Sequence, residues 1–549
     1  MHYERGGGIA PQIRRQHPLS RDTRPLVERA GLAAFWNAAF FPLKMLVAFG
    51  ASIITVRLLR NEGWALYLVV ASLLNWFGLV VDLGIERTLP RFYPEIEMRY
   101  GKRGIMRLLL WVSVIKGAVL LALLLALVAV PDFWISTFAL GEQGGLFLVM
   151  IAVLLVLGAL SDVTIQLLYT HFRQKVTNSL DVLASIGFPV LSSIFVYMEL
   201  GAMGMLLALL ITTVVSVALS TWQAWVMLAS MDPEPPLKSA DVKLPSTRSL
   251  RDRIGGFAGL NYLINWTVNL YDLPFFTIML SLIVVDQAAR AVQISILGLA
   301  YRVTRQFLRA LVVPLTGVQT PLFARLYAEG RMDGLRTAYA TLTKFLILAL
   351  LPAGVGLIIS ARNLLAVFFV QIGPDAVLTW PKVPDAVACI AILTIGLFGE
   401  AIISVVLNVL MVHEDYRAVI TARLVALCSI PLVLVLVPLM GVTGAAIAAS
   451  VAALASRAVA LVYAVRRVGL RFPGEFFVRV GLASSIMGAA LLPFLVFFPP
   501  TPLPTAAMIV TGALIFYVMF RVLGGMDQDD KDRLSTLRVP FARVVLRYL

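Results

Sequence analysis

Apolar runs of twenty residues or more fill most of the chain, separated by short polar segments rich in arginine and lysine. Crossing about 30 Å of hydrocarbon takes about 20 residues of helix. Fourteen segments meet that requirement. Those of the first half lie near 31–57, 64–88, 105–130, 145–170, 179–199 and 203–229. Those of the second half lie near 254–284, 291–321, 335–360, 385–411, 417–438 and 442–465, with two more near 475–498 and 503–521. The pattern predicts an all-α polytopic membrane protein.

Composition agrees and adds charge to the picture. Of 549 residues, 60% are hydrophobic and 14% charged, with a mean hydropathy of +0.88 and a formal net charge of +15. That balance leaves too little polar surface for a soluble protein of this length. The positive charge follows topology, and no nucleic acid is implied. With the N-terminus cytoplasmic, 33 of the 46 Lys and Arg residues fall in cytoplasmic segments. Four, Arg60, Arg290, Arg362 and Lys382, fall in external ones. A missed or extra helix would scramble this alternation. The positive-inside rule therefore supports fourteen crossings in the cell (inner) membrane with both termini cytoplasmic. No cleavable signal peptide is expected, because about thirty polar, basic residues precede the first apolar run.

A short repeat divides the chain. "RFYPE" (91–95) follows the second segment and "RLYAE" (325–329) the eighth. Each is followed by a glycine and an arginine, then by a lysine deep in the next segment, Lys116 and Lys344. The copies run in the same direction, which predicts two six-helix lobes related as parallel repeats. The expected layout is a basic tail 1–30, an N-lobe 31–230, a proline-rich linker 231–253, a C-lobe 254–467, two helices in 468–522 and a basic tail 523–549. In that last tail Leu534, Leu537, Phe541 and Val544 share a helical face, as in a helix lying on an anionic leaflet.

The remaining nine basic residues lie inside or at the edges of spans. Arg302, Arg305 and Arg309 follow i, i+3, i+7 spacing and share one face. An arginine at the bilayer centre costs roughly 2.5–3.5 kcal/mol, so such residues face a cavity or a partner and are functional candidates. Ser295 and Gln306 extend the stripe. On the preceding segment Asn261, Asn265, Asn269 and Asp272 share a face, suited to sugar contact or to hydrogen bonds between helices. Asp272 matches Arg302 in depth, which predicts a pair there and leaves Arg305 and Arg309 uncompensated. Depth also matches Lys116 with Asp162 and Lys344 with Glu400, one pair per lobe. These are either neutralised structural pairs or sites coupled to H⁺ or Na⁺. Lys44 lies mid-segment with no obvious acidic partner and is a further candidate for anion contact. Arg57, at an outer end, either contacts a substrate or reaches the interface. Arg423 and Arg457 are expected to snorkel.

"TVRLLRNEGWALYLVVASLLNWFGLVVDLGIERTLPRFYPE" (55–95) resembles the start of oligosaccharide flippases of the Wzx-like polysaccharide-transporter group, in the multidrug/oligosaccharidyl-lipid/polysaccharide (MOP) superfamily. The matching pieces are Arg57-Leu58-Leu59, Asp82-Leu83-Gly84 and the basic, aromatic loop that follows. The family usually has a glycine after "RLL"; here Arg60 stands there. "RVLGGMDQDDKDRLSTL" near the C-terminus also resembles tails of the group. The resemblance implies two six-helix lobes around a central cavity, two extra C-terminal helices and export of lipid-linked glycans.

The charges suit that substrate. A polyprenyl-diphosphate-linked oligosaccharide offers phosphate oxygens that arginine binds bidentately, a polar glycan and an apolar tail. Arg302, Arg305, Arg309, Lys44 and Arg57 are the candidate anion contacts. The expected partners are that lipid-linked oligosaccharide, membrane lipids, H⁺ or Na⁺, and polysaccharide polymerase machinery. A lipid II-type peptidoglycan precursor flippase and a MATE-like drug or cation exporter remain alternatives, the latter calling for uncompensated carboxylates. From a different class, a membrane glycan polymerase or ligase generally needs a sizeable external loop. The largest here, 361–384, holds no acid pair resembling a catalytic dyad. No GxxxxGK[ST] sequence occurs, and Cys389 and Cys428 show no CxxC spacing, so neither enzyme activity nor a cofactor is expected.

Overall fold

The structure, a computed structural model, describes residues 26–170, 173–231, 247–373, 376–413 and 415–525. Both basic tails, beyond 26 and 525, and most of the linker lie outside the described residues. Among those described, seventeen α-helices form and no strand beyond one isolated bridge, Val370 with Leu378. The first half holds α1 (Leu26–Asp82), α2 (Ile85–Ala129), α3 (Pro131–Phe138), α4 (Gly144–Thr170), α5 (Gln174–Tyr197) and α6 (Gly201–Ala229). Then come α7 (Thr247–Asn269), α8 (Leu273–Ile283), α9 (Gln287–Ala328), α10 (Met332–Phe368), α11 (Val383–Ile403) and α12 (Val405–Val412). The chain continues with α13 (Tyr416–Leu424), α14 (Ser429–Met440), α15 (Val442–Val468), α16 (Gly474–Phe497) and α17 (Pro502–Val522).

Among the described residues, eleven helices are long and apolar enough to cross a membrane, or twelve if the bent pair α7–α8 counts as one span. The breaks have local causes. α1 turns at Arg60 (φ 58) and α2 at Gly101 (φ 58). α7 and α8 meet at 61°. There Asp272 caps α8 by accepting from the Leu273 amide at 2.7 Å. Pro274 follows in the first turn, where its missing N–H costs nothing. Between α13 and α14 a 3₁₀ turn, Val425–Cys428, precedes Pro431, which cannot donate to the carbonyl four residues back.

Small residues bring the helices close, as in membrane bundles where helices have no hydrophobic drive to associate. Ala445, Ala446, Ala449, Ala453 and Ala460 of α15 are fully buried. A Cβ on Gly396 of α11 would stand 2.3 Å from the Ser450 hydroxyl of α15, and that hydroxyl donates to the Ile392 carbonyl at 2.8 Å. α16 and α17 pack on each other and on α10. The main core joins both halves, with Trp64 and Leu68 of α1 in the same cluster as Leu297 and Leu299 of α9.

Gly84 marks the tightest approach of α7 to the first half. Its φ is +71, and a Cβ there would meet the Ala258 carbonyl oxygen at 2.2 Å and the Tyr262 amide at 2.7 Å. Gly84→Ala should therefore lower stability by about 2–4 kcal/mol, combining left-handed strain with overpacking. Gly259→Ala, on α7 with open space around it, should be neutral or stabilising by up to about 1 kcal/mol. Thermal melting of the two variants in detergent checks the contrast.

Candidate functional site

The arginine stripe of α9 faces α1. Gln306 donates to the Met45 carbonyl at 3.1 Å, and Ser295 donates to the Asn61 carbonyl at 3.0 Å. A Cβ on Gly298 would stand 2.2 Å from a Leu68 methyl. The opposite side is apolar, with Leu297 and Ala300 fully buried. The i, i+3, i+7 pattern thus places its polar face on the seam between the first and second halves of the chain.

The three arginines differ in their surroundings. Arg305 pairs with Asp272 at 2.9 Å and lies over the Tyr301 ring at 5.8 Å. Arg302 is half-buried, and its guanidinium lies over the Trp64 ring at 5.2 Å. Arg309 is exposed. Neither Arg302 nor Arg309 makes an ion pair among the described residues. The expected Asp272–Arg302 pair is therefore corrected to Asp272–Arg305. Depth counted along an unbroken helix assumes 1.5 Å per residue. The break before α8 invalidates that count and shifts the carboxylate by about one turn.

A buried network surrounds the same break. Tyr301 donates its hydroxyl to the Tyr271 carbonyl at 2.8 Å. The Tyr271 hydroxyl in turn receives Arg423 at 2.7 Å and Arg457 at 3.1 Å. Arg457, 5% exposed, also pairs with Glu400. The two arginines expected to snorkel instead hold the bent segment from inside. The expected Lys344–Glu400 pair is likewise corrected: Glu400 belongs to Arg457, and Lys344 lies over the Phe476 ring of α16 at 5.7 Å. Matching depth sets the level of two residues but not the direction each faces, and α10 packs on α16 as well as on α11. In the first half the prediction holds. Lys116, 2% exposed, donates to Asp162 at 3.1 Å.

Two other basic candidates have partners that the sequence did not reveal. Lys44 forms an ion pair with Asp181 of α5. Arg57 donates from Nε to the Phe368 carbonyl at 2.8 Å and from Nη2 to the Val367 carbonyl at 3.1 Å, satisfying the end of α10. Gln371 completes this clasp by donating to the Arg57 carbonyl at 3.1 Å.

The asparagines of α7 divide. Asn261 is buried and turns back to the Phe257 carbonyl, 2.9 Å. Asn265 donates to the Asp82 carboxylate across the seam at 2.9 Å, and Asn269 donates to the Asn265 carbonyl at 2.9 Å. Asp82, given only as part of a family motif above, is 7% exposed and belongs to this polar surface. Its place at the junction of α1 and α2, two residues before Gly84, was the available signal.

The network predicts a graded response. Tyr271→Phe removes one hydroxyl shared by two guanidinium groups and should cost about 1.5–3 kcal/mol. Arg457→Gln leaves Glu400 buried without its cation and should cost about 3–5 kcal/mol. Adding Glu400→Gln to Arg457→Gln should recover part of that loss. Unfolding titrations of the four proteins measure each step, and purely additive losses would exclude the pair.

No protein-family model matches the chain, and no curated protein matches it. Solved structures do match. The lipid II flippase MurJ in an inward closed conformation aligns with a TM-score of 0.67 at 16% identity, covering 90% of this chain and 99% of its own. An inward-facing multidrug-resistance MATE family transporter of the MOP superfamily aligns at 0.57 and 17% identity, covering 77% and 94%. A MOP superfamily transporter from Pyrococcus furiosus, described as having a binding pocket of reverse polarity, aligns at 0.53 and 16% identity, covering 81% and 95%. These likenesses establish a fold: the chain is a multi-pass, all-helical membrane protein with the architecture of MOP-type transporters.

Proposed function

We propose that the chain is a flippase that carries a polyprenyl-diphosphate-linked oligosaccharide from the cytoplasmic to the outer leaflet by alternating access. The observation that supports this is the charge balance of the α9 stripe and Lys44. Asp272 neutralises Arg305 and Asp181 neutralises Lys44, while Arg302 and Arg309 have no ion-pair partner among the described residues. The two unpaired guanidinium groups of the stripe match the two charges of a diphosphate, and their planar forks suit its oxygens; the Asp82 carboxylate faces Asn265 of α7 instead. With an inside-negative potential of 100 mV, moving two negative charges outward releases roughly 4–5 kcal/mol, which favours export. The resemblance of residues 55–95 to Wzx-like flippases supports a glycan cargo, and the fold shared with MurJ is consistent with a lipid-linked one.

The reading includes fourteen crossings. The kink at Arg60 divides α1 into two, and α9 and the bent α7–α8 pair each add one to the eleven. Two six-helix lobes, with α16 and α17 outside the repeat, and both termini in the cytoplasm of a cell whose inner membrane holds the protein, complete it. The Arg57 clasp on α10 then closes the outer side. One observation favours a second reading. Asp82 has no cationic partner among the described residues, and an uncompensated carboxylate is what a MATE-like cation exporter would use.

Arg302→Ala with Arg309→Ala should reduce flipping of a polyprenyl-diphosphate glycan at least ~100-fold in proteoliposomes, since each loses charge-assisted hydrogen bonds of about 1.5–3 kcal/mol. Lysine at both positions should restore part of it. Full activity in the double alanine variant, with the protein inserted and abundant, would sink the assignment. Expulsion of an organic cation that depends on Asp82 and not on the arginines would favour the exporter.

A further inference from the structure

A cavity of about 500 Å³ opens between α1, α4, α6 and α7, within the size range of small-ligand pockets. Its polar wall is made by Asn75, Asp82, Asp162, Thr213, Asn265 and Asn269, and among the described residues no lysine or arginine lines it. Gly78 and Gly158 also line it, and each has open space where a side chain would stand. Asp82 is the decisive residue. One carboxylate oxygen, Oδ2, receives Asn265 at 2.9 Å and the Gly84 amide at 3.3 Å. The other, Oδ1, is buried and has no hydrogen-bond partner. A buried carboxylate oxygen without a donor is costly, and among the described residues no lysine or arginine beside the cavity offsets the Asp82 charge. Asp162 adds a second carboxylate, held by Lys116 from behind and still 39% exposed in its side chain.

We propose that this cavity seats the sugar next to the diphosphate, and that it selects a neutral or amino sugar while rejecting a uronic acid. The proposal rests on the flippase reading given above. α7 supplies the link between the two sites, because Asn265 and Asn269 line the cavity and Asp272, three residues further, pairs with Arg305. On this proposal a sugar bonded to a diphosphate held beside the Asp272–Arg305 pair would reach the wall along α7. Sugar hydroxyls and amide N–H groups are donors that suit the carboxylate and amide oxygens of the wall. The open space beside Gly78 of α1 and Gly158 of α4 leaves room for a sugar ring. A hexuronic acid would bring a further carboxylate against Asp82, whose charge no cation offsets among the described residues, while Asp162 is already balanced by Lys116. Like charges in such a setting repel strongly.

Three probes test this on the full-length protein in nanodiscs: polyprenyl diphosphate alone, the same lipid carrying one N-acetylhexosamine, and the same lipid carrying one hexuronic acid. The N-acetylhexosamine lipid should bind about tenfold or more tightly than the hexuronic acid lipid, the worth of one hydrogen bond to a charged group. Asp82→Asn keeps the shape and removes the charge, and should shrink that ratio to within about threefold. Asn75→Leu, on the exposed side of the wall, should weaken the N-acetylhexosamine lipid relative to bare polyprenyl diphosphate, and covers the case of a poorly folded Asp82 variant. A wild-type ratio near one, or a ratio that neither variant moves, overturns the proposal and leaves the flippase reading intact. Failure of all three lipids to bind removes both. If Asp82→Asn keeps the sugar preference but abolishes the dependence of flipping on H⁺ or Na⁺, Asp82 is a coupling carboxylate and the pocket assignment is wrong.

Discussion

A helix that breaks inside an apolar bundle must find partners for the backbone groups it frees, because no water is at hand to take them. The break between α7 and α8 meets this constraint with the same residues that organise the candidate site. Asp272 takes the Leu273 amide, Tyr301 takes up the Tyr271 carbonyl, and the Tyr271 side chain is held by Arg423 and Arg457. The same Asp272 oxygen, Oδ1, also takes Arg305. Asn265, one turn before the break, reaches Asp82 on the other half of the molecule. The bend, the charge pair and the contact across the seam therefore depend on one another. Loss of the Glu400–Arg457 pair would be felt at Arg305 through Tyr271, with no residue of the stripe altered.

The pairing of charges also separates structural cations from available ones. Lys116 and Arg457 are almost fully buried and each has its carboxylate. Charges in that condition are costly to separate and act as fixed parts of their halves. Arg302 rests on an aromatic ring, and cation–π attraction there is worth only about 0.5–2 kcal/mol. Such a contact holds the guanidinium in place but does not neutralise it, so a phosphate can still recruit it. Arg57 lies between these cases. It is exposed and spends its donors on backbone carbonyls. Those carbonyls are the unsatisfied end groups of α10, so the clasp joins the halves with hydrogen bonds that water can replace. That makes it suited to opening, where a buried ion pair is not.

Much of this was legible in the sequence. Apolar runs and the distribution of lysine and arginine gave the helical class, and the spacing of Arg302, Arg305 and Arg309 gave a single face that does lie on a seam. Lys116–Asp162 was found by depth alone. The failures share a cause. Depth is one coordinate, and pairing requires two. Glu400 and Lys344 lie at similar depth, yet Glu400 looks toward α15, which Gly396 and the alanines draw close, while Lys344 looks toward α16. Asp272 was misplaced because a break resets the count. Asp181 was missed because its match to Lys44 joins helices α1 and α5, far apart in the chain. Asp82 lacked a periodic partner, since the carboxylate stands at a junction where helical spacing no longer applies.

The distribution of sign across α7 bears on how a flippase of this kind could be selective without being tightly bound to its cargo. Cationic groups line the seam with α9, and acidic and amide groups line the cavity with α1, α4 and α6. On the function proposed above, every polyprenyl-diphosphate lipid shares the anion, so the arginines would provide affinity that does not depend on the glycan. On that proposal discrimination would fall to the acidic wall, working mainly by excluding the wrong sugar and only secondarily by gripping the right one. Rejection of this kind leaves the accepted cargo weakly held at its sugar end. A transporter must also release what it binds, and strong glycan contacts would deepen the well from which the cargo has to leave. Placing the charge attraction on the invariant part of the substrate and the repulsion on the variable part reconciles those demands.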